Sequence, residues 1–250
     1  MLMADALHQT IFSRTSLLVG DDTFKSLVSA HVLLVGVGGV GSYAAEALVR
    51  AGIGSLTLID GDVVQASNIN RQLHALTTTI GQPKVAVMAG RLQLINPMLH
   101  VSPLQLVVTP ENTPHLLAEP YDLVLDAIDS FDAKLALISG CVERGIPVIA
   151  SMGAAGKLDP ARVRCADLAE SQGCRLARKL RKLLRREGIT NGVRVIYSDE
   201  AFASHGFGEK EPEGDARRPM GSISYLPAMF GLQMAAEAVR LLLKKNDTPT

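Results

Sequence analysis

Four glycines between positions 36 and 41 are the residues best suited to bind a phosphate group. Gly36, Gly38 and Gly41 have G-x-G-x-x-G spacing, and Gly39 adds a fourth glycine. Such glycines allow a tight strand-to-helix turn and let phosphate oxygens approach backbone N–H groups at a helix N-terminus. Asp60 follows 24 positions after the first glycine, where an acid can hydrogen-bond a ribose hydroxyl. The pattern predicts a site for a dinucleotide or for ATP.

A βαβ unit must position these residues. An apolar, β-branched run at 32–35 predicts a strand buried on both faces, a helix follows at 42–51, and residues 55–60 predict a second buried strand. Because strand, turn, helix, strand and acid agree, we favour a nucleotide site over a glycine turn that serves packing alone.

The rest of the chain continues this alternation. We predict helices at 22–29, 84–95, 113–118, 131–144, 175–186 and 226–243, and strands at 100–108, 123–129, 147–151, 162–166 and 193–197. The alternation implies an α/β fold, a Rossmann-like and mainly parallel sheet with helices on both faces. Beyond residue 156 we expect a C-terminal extension of further strands and helices.

The composition favours a single domain without a strong overall electrostatic field. A chain of 250 residues that is 47% apolar can bury a large core, so we expect a single domain over 1–250. Its parts are an N-terminal arm (1–30), a nucleotide-binding core (31–156), and a last part (157–250) with a basic helix, a mobile loop at 199–221 and a C-terminal helix. The formal net charge is zero, so no global field indicates nucleic acid or membrane.

The cysteines and the first residues indicate a reducing compartment. Cys141, Cys165 and Cys174 form no C-x-x-C pair, which argues against a disulfide scaffold and a four-cysteine zinc site, and Cys141 is most simply a small core residue. The N-terminal residues lack a basic region followed by an apolar core. We therefore expect no secretory signal and a cytoplasmic location.

The predicted C-terminal helix is apolar enough to suggest a membrane span. Gln233, Glu237 and Arg240 interrupt it at intervals of four and three, which places them on one helical face. This spacing favours a packed amphipathic helix over a stable span, and it leaves peripheral membrane association open.

Two cations and an acid are the further candidates for chemistry. Arg71 lies in the polar connection after the second strand, Lys84 begins the next helix, and Asp129 ends the strand predicted at 123–129. Open α/β sheets bind ligands at the carboxyl edge of their strands, so Asp129 can face the ligand of the glycine turn. The two cations suit a triphosphate, whereas a nicotinamide ring would not need them. This pair therefore argues against an NAD-dependent oxidoreductase. A catalytically silent nucleotide-binding partner stays open.

Five motifs in this order resemble those of the ubiquitin-activating-enzyme-like superfamily, which adenylates carboxylates with ATP. They are Gly36-x-Gly-Gly-x-Gly41, Leu58-Ile-Asp-x-Asp62, Ser67-Asn-x-Asn-Arg-Gln72, Gly81-Gln-Pro-Lys84 and Asp129-Ser130. Within the superfamily, the chain most resembles the tRNA threonylcarbamoyladenosine dehydratases over nearly its whole length. The resemblance includes Arg14-Thr-Ser-Leu-Leu, Leu176-Ala-Arg-Lys-Leu-Arg-Lys, Val195-Ile-Tyr-Ser198 and Gly221-Ser-Ile-Ser224.

The resemblance implies a role for each matching residue. Arg71 and Lys84 would bind the phosphates of ATP, Asp129 would bind Mg²⁺, and Asp60 would hold the ribose. Arg14 resembles an arginine that the family's second subunit inserts into the site, which implies a homodimer with two composite sites. The other pocket residues would be Asp62, Ser67, Asn68, Asn70, Gln72 and Ser130. For Ser67, Asn68 and Gln72, ordinary turn chemistry is the alternative.

The reaction that the resemblance implies is the ATP-dependent dehydration of threonylcarbamoyladenosine in tRNA. ATP would activate the threonyl carboxylate as an acyl-adenylate, and a nucleophile of the same modification would close a ring. The alternative is adenylation of the C-terminal carboxylate of a small sulfur-carrier protein, against which the absent zinc cysteine pairs argue. The ring product, a sulfur-transfer partner and a monovalent cation stay open.

A basic helix predicts contact with tRNA. Residues 175–186 contain seven cations and no acid, so this segment carries +7 while the rest of the chain sums to −7. The cations are Arg175, Arg178, Lys179, Arg181, Lys182, Arg185 and Arg186. Leu176, Leu180, Leu183 and Leu184 predict one buried stripe, which leaves the cations around the remaining surface. A phosphate backbone would offset their repulsion, whereas a merely solvated face is the alternative.

Overall fold

A computed structural model of the protein describes residues 2–201 and 221–244, with side chains from residue 7 onward. Seven strands in these residues form one sheet in the order β3-β2-β1-β4-β5-β7-β6. They are β1 (His31–Val35), β2 (Ser55–Ile59), β3 (His100–Leu104), β4 (Leu123–Asp126), β5 (Val148–Ser151), β6 (Val163–Asp167) and β7 (Arg194–Ser198). Only the β6–β7 pair is antiparallel, so the predicted mainly parallel sheet is confirmed. The C-terminal strands extend this same sheet.

Helices cover both faces of the sheet, as predicted. They are α1 (Leu2–Val19), α2 (Asp21–Ser29), α3 (Gly41–Ala51), α4 (Lys84–Ile95), α5 (Thr113–Leu116), α6 (Phe131–Glu143), α7 (Arg175–Arg186) and α8 (Tyr225–Lys244). Successive residues of a strand point to opposite faces. Leu34 of β1 therefore packs in a core formed by α2, α3, α4 and α8, whereas Leu33 packs in a second core with α6 and α7.

One helix was missed, and two strands end earlier than predicted. The N-terminal arm holds an additional 18-residue helix, α1, which we did not predict. The strand predicted at 100–108 ends at Leu104, because that residue pairs with the last residue of β2. The strand predicted at 123–129 ends at Asp126, which pairs with Val35 where β1 gives way to the glycine turn. Asp129 therefore lies in the loop beyond β4.

The C-terminal helix α8 packs inside the protein. It is long and apolar enough for a membrane span, but 56% of its most apolar window is buried. It lies against α3, and a Cβ on Gly231 would collide with the carbonyl oxygen of Val40. Glu237 is buried and accepts hydrogen bonds from Arg194 of β7 and from Arg240, so this member of the predicted polar face contacts the sheet, whereas Arg240 is exposed. Most of the loop predicted at 199–221 lies outside the described residues.

Candidate active site

Three neighbouring strands bring the predicted nucleotide ligands to one edge of the sheet. β1 lies between β2 and β4. The glycine turn follows β1, Asp60 follows β2, and Asp129 and Ser130 follow β4 as exposed residues. The strand order reverses beside β1, and a doubly wound sheet has its ligand-binding crevice at this position.

The glycines of the turn divide into packing positions and an open position. Gly36 has φ +91°, and a Cβ there would lie 2.7 Å from the carbonyl oxygen of Ala127. A Cβ on Gly41 would collide with the carbonyl oxygen of Gly36. At Gly38 a Cβ would meet only Gln72, at 3.9 Å. The open side of Gly38 is therefore where a ligand can approach the backbone.

Asp60 and Lys84 form the charged side of the site. One Asp60 carboxylate oxygen accepts a 2.7 Å hydrogen bond from the backbone N–H of Val37, and the other accepts from the N–H of Asp62 at 2.9 Å. The ammonium of Lys84 lies 2.6 Å from Asp62 Oδ2 and 3.8 Å from Asp60 Oδ1. Lys84 is buried, whereas the Asp62 side chain is 69% exposed. The sequence therefore places a buried cation beside the glycine turn.

Arg71 lies directly on the glycine turn. Its Cγ would be 3.3 Å from a Cβ placed on Gly39. Its Nη1 donates to the carbonyl oxygen of Ser67 and to Asn70 Oδ1, both at 2.9 Å. These acceptors are neutral, so the guanidinium keeps its charge available for a phosphate. Asn70 in turn donates to the carbonyl oxygen of Ser222, which ties this loop to the chain before α8.

The remaining loop residues, Asn68 and Gln72, differ in whether their side chains hydrogen-bond the backbone. Asn68 is buried and accepts from the N–H of Gln65 at 3.0 Å in a capping box, which is the turn chemistry given above as its alternative. Gln72 is also buried, and its Oε1 has no hydrogen-bond partner within the part of the chain that the structure describes. Because Gln72 also neighbours Gly38, its amide is available to a bound ligand.

Asp129 and Arg14 are exposed, and in residues 7–201 and 221–244 neither makes a hydrogen bond or ion pair with the other site residues. Among the described residues, no group of three His, Cys, Asp or Glu side chains is arranged to hold a metal. A metal at Asp129 would therefore need oxygen ligands from a bound substrate. Arg14 lies on α1, which packs against α2 and α3, and no hydrogen bond within the described part of the chain connects it to the glycine turn.

A buried ion pair under the Asp129 loop was missed by the sequence reasoning. Lys134 Nζ lies 2.7 Å from Asp126 Oδ2 and donates to the carbonyl oxygen of Ser151, and both charged side chains are fully buried. Asp126 also accepts from the N–H of Ile128, so the pair holds the start of the loop. Burial raises the pKa of Asp126, which the nearby ammonium opposes. The acid Asp126 within an apolar strand was the feature of the sequence that could have indicated a buried ion pair.

His74 is a second buried group that was missed. Both ring nitrogens lack a hydrogen-bond partner among the described residues, and the residue is 1% exposed. Burial, together with the positive charges of Lys84 and Arg91, lowers the pKa of His74 to about 4. The imidazole is therefore neutral at physiological pH.

The basic helix forms at the predicted residues, with one correction among its cations. Leu180 and Leu184 are buried with Ala177, and Leu176 and Leu183 are half-buried. Six cations are exposed, namely Arg175, Arg178, Lys179, Lys182, Arg185 and Arg186. Arg181 instead donates to the carbonyl oxygens of Leu168 and Ser171, so we remove it from the predicted tRNA-binding face because it anchors a turn. The predicted core position of Cys141 is confirmed.

The fold and the site define a nucleotide-binding α/β protein whose cations suit a triphosphate. More specifically, the chain belongs to the ThiF family, whose profile matches residues 12–250.

Comparison with known proteins places dehydratases among its relatives. The tRNA threonylcarbamoyladenosine dehydratase of Bacillus subtilis (strain 168) is 42% identical over 95% of this chain and 96% of its own. The crystal structure of the Escherichia coli tRNA N6-threonylcarbamoyladenosine dehydratase in complex with ATP superposes with a TM-score of 0.87, at 36% identity over 96% of both chains. The Escherichia coli molybdopterin-synthase adenylyltransferase is 37% identical but matches only 55% of this chain and 54% of its own.

Proposed function

We propose that this protein is an ATP-dependent enzyme that dehydrates threonylcarbamoyladenosine in tRNA. The observation that carries the proposal is the placement of Arg71 and Lys84 beside an open glycine turn, in a fold whose dehydratase relative was crystallised with ATP. The match to dehydratases along nearly the whole chain supports this substrate over a sulfur-carrier protein. We propose that residues 1–250 form one adenylating domain.

The reaction has two steps. An oxygen of the threonyl carboxylate attacks the α-phosphorus of ATP, the bond from this phosphorus to the bridging oxygen breaks, and pyrophosphate leaves. A nucleophile of the same modification then attacks the acyl carbon, loses its proton and displaces AMP, which keeps the carboxylate oxygen. The modified nucleoside has then lost one water, while ATP has become AMP and pyrophosphate.

Arg71 and Lys84 oppose the negative charge that develops on the phosphates. Fixed charges aimed at developing charge lower a barrier because they need no reorganisation during the reaction. Lys84 is paired with Asp62, whose largely exposed carboxylate can turn to solvent when a phosphate replaces it. Asp60 holds the glycine turn through Val37 and has lone pairs left for a ribose hydroxyl.

Asp129 fits the role of a Mg²⁺ ligand. It is an exposed carboxylate at the ligand edge, whereas the nearby Asp126 is committed to Lys134. Magnesium is commonly held by one or two carboxylates together with substrate phosphates. When bound, the ion would neutralise phosphate charge.

We further propose that the enzyme is a homodimer in which Arg14 reaches the partner's site. Leu7, Ile11 and Leu18 are 51%, 38% and 85% exposed, and together with Arg14 they follow spacings of four, three and four along α1. This spacing places them on one helical face. An uncovered apolar face around an arginine supports a second copy as its cover, with Arg14 supplied in trans.

The exposed cations of α7 are the proposed contact for tRNA phosphates. Replacing Arg178, Lys182 and Arg185 with Gln should weaken tRNA binding and reduce its salt slope by about three, while ATP affinity stays the same. Nitrocellulose filter binding at several salt concentrations measures both quantities. Parental affinity and slope in this variant would assign the cations to solubility alone.

We propose a cytoplasmic location for the enzyme. The proposal does not specify a sulfur-transfer partner or a monovalent cation.

Pyrophosphate release from labelled ATP tests the proposed reaction. We expect release to depend on tRNA that carries threonylcarbamoyladenosine, and to be absent with a sulfur-carrier protein. Release driven by the carrier protein and not by this tRNA would contradict the proposal.

A further inference from the structure

Phe131 and Lys179 connect the basic helix to the candidate active site. Phe131 begins α6, two residues after Asp129, and its side chain is half-buried. The ammonium of the exposed Lys179 lies 3.9 Å from the centre of the Phe131 ring. Further along, Ser139 of α6 donates to Glu187 at the end of α7. The two helices therefore lie side by side, and Lys179 of α7 contacts the first residue of α6, which follows the loop that carries Asp129.

Lys179 belongs to a row of cations along α7. Arg175, Lys179, Lys182 and Arg186 follow spacings of four, three and four, which places them on one helical face, and all four are exposed. At 1.5 Å per residue the row is about 16 Å long. It passes over the Phe131 ring, so a phosphate backbone that follows the row would bring a nucleotide to the Asp129 loop.

We propose that Phe131 is a stacking platform for a base of the bound tRNA, and that Lys179 moves from the ring face to a backbone phosphate when the RNA binds. That the RNA is tRNA rests on the proposed function. An exposed contact between a cation and an aromatic ring is weaker than a stack between a base and an aromatic ring. The exchange is therefore favourable, because the ring gains a base and the ammonium gains a phosphate. In the structure, Lys179 covers this ring face.

The absence of tryptophan from the sequence allows a direct test of stacking. Phe131→Trp creates a single-tryptophan protein, and stacking of a base on the indole should quench its fluorescence when tRNA is added. Tyr121→Trp is the matched control, because Tyr121 packs against His31 at the opposite, amino edge of the sheet. We expect quenching in the first variant and none in the second. Equal signals in the two variants would overturn the proposal.

Measurements of tRNA affinity distinguish the effect of the aromatic ring of Phe131 from the effect of its apolar bulk. Phe131→Leu keeps an apolar side chain without a stacking face, so we expect its dissociation constant for tRNA to rise about five- to a hundredfold. Phe131→Tyr keeps the ring and should bind tRNA about as tightly as the parent. Both variants should bind ATP as the parent does, which also shows that they are folded.

The outcomes distinguish this proposal from the proposed function. Parental tRNA affinity in Phe131→Leu, or an equal loss in Phe131→Leu and Phe131→Tyr, would overturn the platform and leave the dehydratase proposal intact. A parent protein that does not bind tRNA at all would overturn both. If Phe131→Leu fails to fold, the fluorescence comparison decides alone.

Discussion

The substitution Lys84→Ala removes the charge that the account depends on most. The ammonium of Lys84 lies close to Asp62 and Asp60, so its loss leaves two carboxylates facing the space assigned to the phosphates. Two unit charges about 4 Å apart, at an effective dielectric constant of about 20, interact by about 4 kcal/mol. This energy corresponds to roughly a thousandfold in rate, and deletion of one stabilising group in enzymes costs about 100- to 1,000-fold. We therefore expect a loss of about 100- to 1,000-fold.

The assay is tRNA-dependent release of pyrophosphate from labelled ATP. The fold should survive Lys84→Ala, because the largely exposed Asp62 can turn to solvent and Asp60 keeps its hydrogen bonds from the N–H groups of Val37 and Asp62. Arg91→Ala is the matched control: Arg91 is a cation on the same helix, paired with Glu46. It should keep near-parental turnover. A folded Lys84→Ala protein within about tenfold of the parent rate would refute the reasoning, since the charge would then not face the reacting phosphates.

Three further predictions follow from the dimer, the buried ion pair and the buried histidine. Mixing Arg14→Ala with Lys84→Ala subunits should restore activity at one composite site, and inactive heterodimers of verified composition would exclude a shared site. Lys134→Met should lower the free energy of unfolding by about 3–5 kcal/mol, because it leaves the Asp126 carboxylate unpaired in the core, and urea denaturation should show partial recovery in Asp126→Asn/Lys134→Met. A loss below about 1 kcal/mol in Lys134→Met would contradict this assignment. The pKa of His74 is lowered from 6.5 to about 4, so the unfolded chain binds the extra proton and stability falls as the pH falls through this window. Replacing His74 with Leu should remove roughly 2–3 kcal/mol of the stability lost between about pH 7 and pH 4.5, and an unchanged pH profile would contradict the buried neutral state.

The sequence was most informative where local patterns and backbone requirements coincide. The glycine turn, Asp60 and the start of α4 at Lys84 lie where spacing alone placed them, because a strand-to-helix turn and a crossover helix are local structures. The end of β4 was harder to predict. It depends on the length of β1, a partner strand about 90 residues away in the chain.

The helix α1 and the buried ion pair were missed for different reasons. In α1, Phe12 is buried, whereas Leu17 and Leu18 are exposed in the single chain. The apolar residues of α1 therefore do not form the single stripe that marks a helix packed on a core. The Asp126–Lys134 pair joins a strand to the following helix, and the apolar run around Asp126 gave no sign of the partner. Arg181 is similar, because a row of cations does not reveal which of them anchors a turn.

The stoichiometry of the reaction tests the central claim most directly. The purified protein is incubated with ATP and with tRNA carrying threonylcarbamoyladenosine, AMP and pyrophosphate are quantified, and the tRNA nucleosides are analysed by mass spectrometry. We expect one AMP and one pyrophosphate for each modified nucleoside that loses one water, and none of these products from the Lys84→Ala protein in the same time. ATP cleavage without loss of water from the nucleoside, or loss of water without ATP cleavage, would contradict the account.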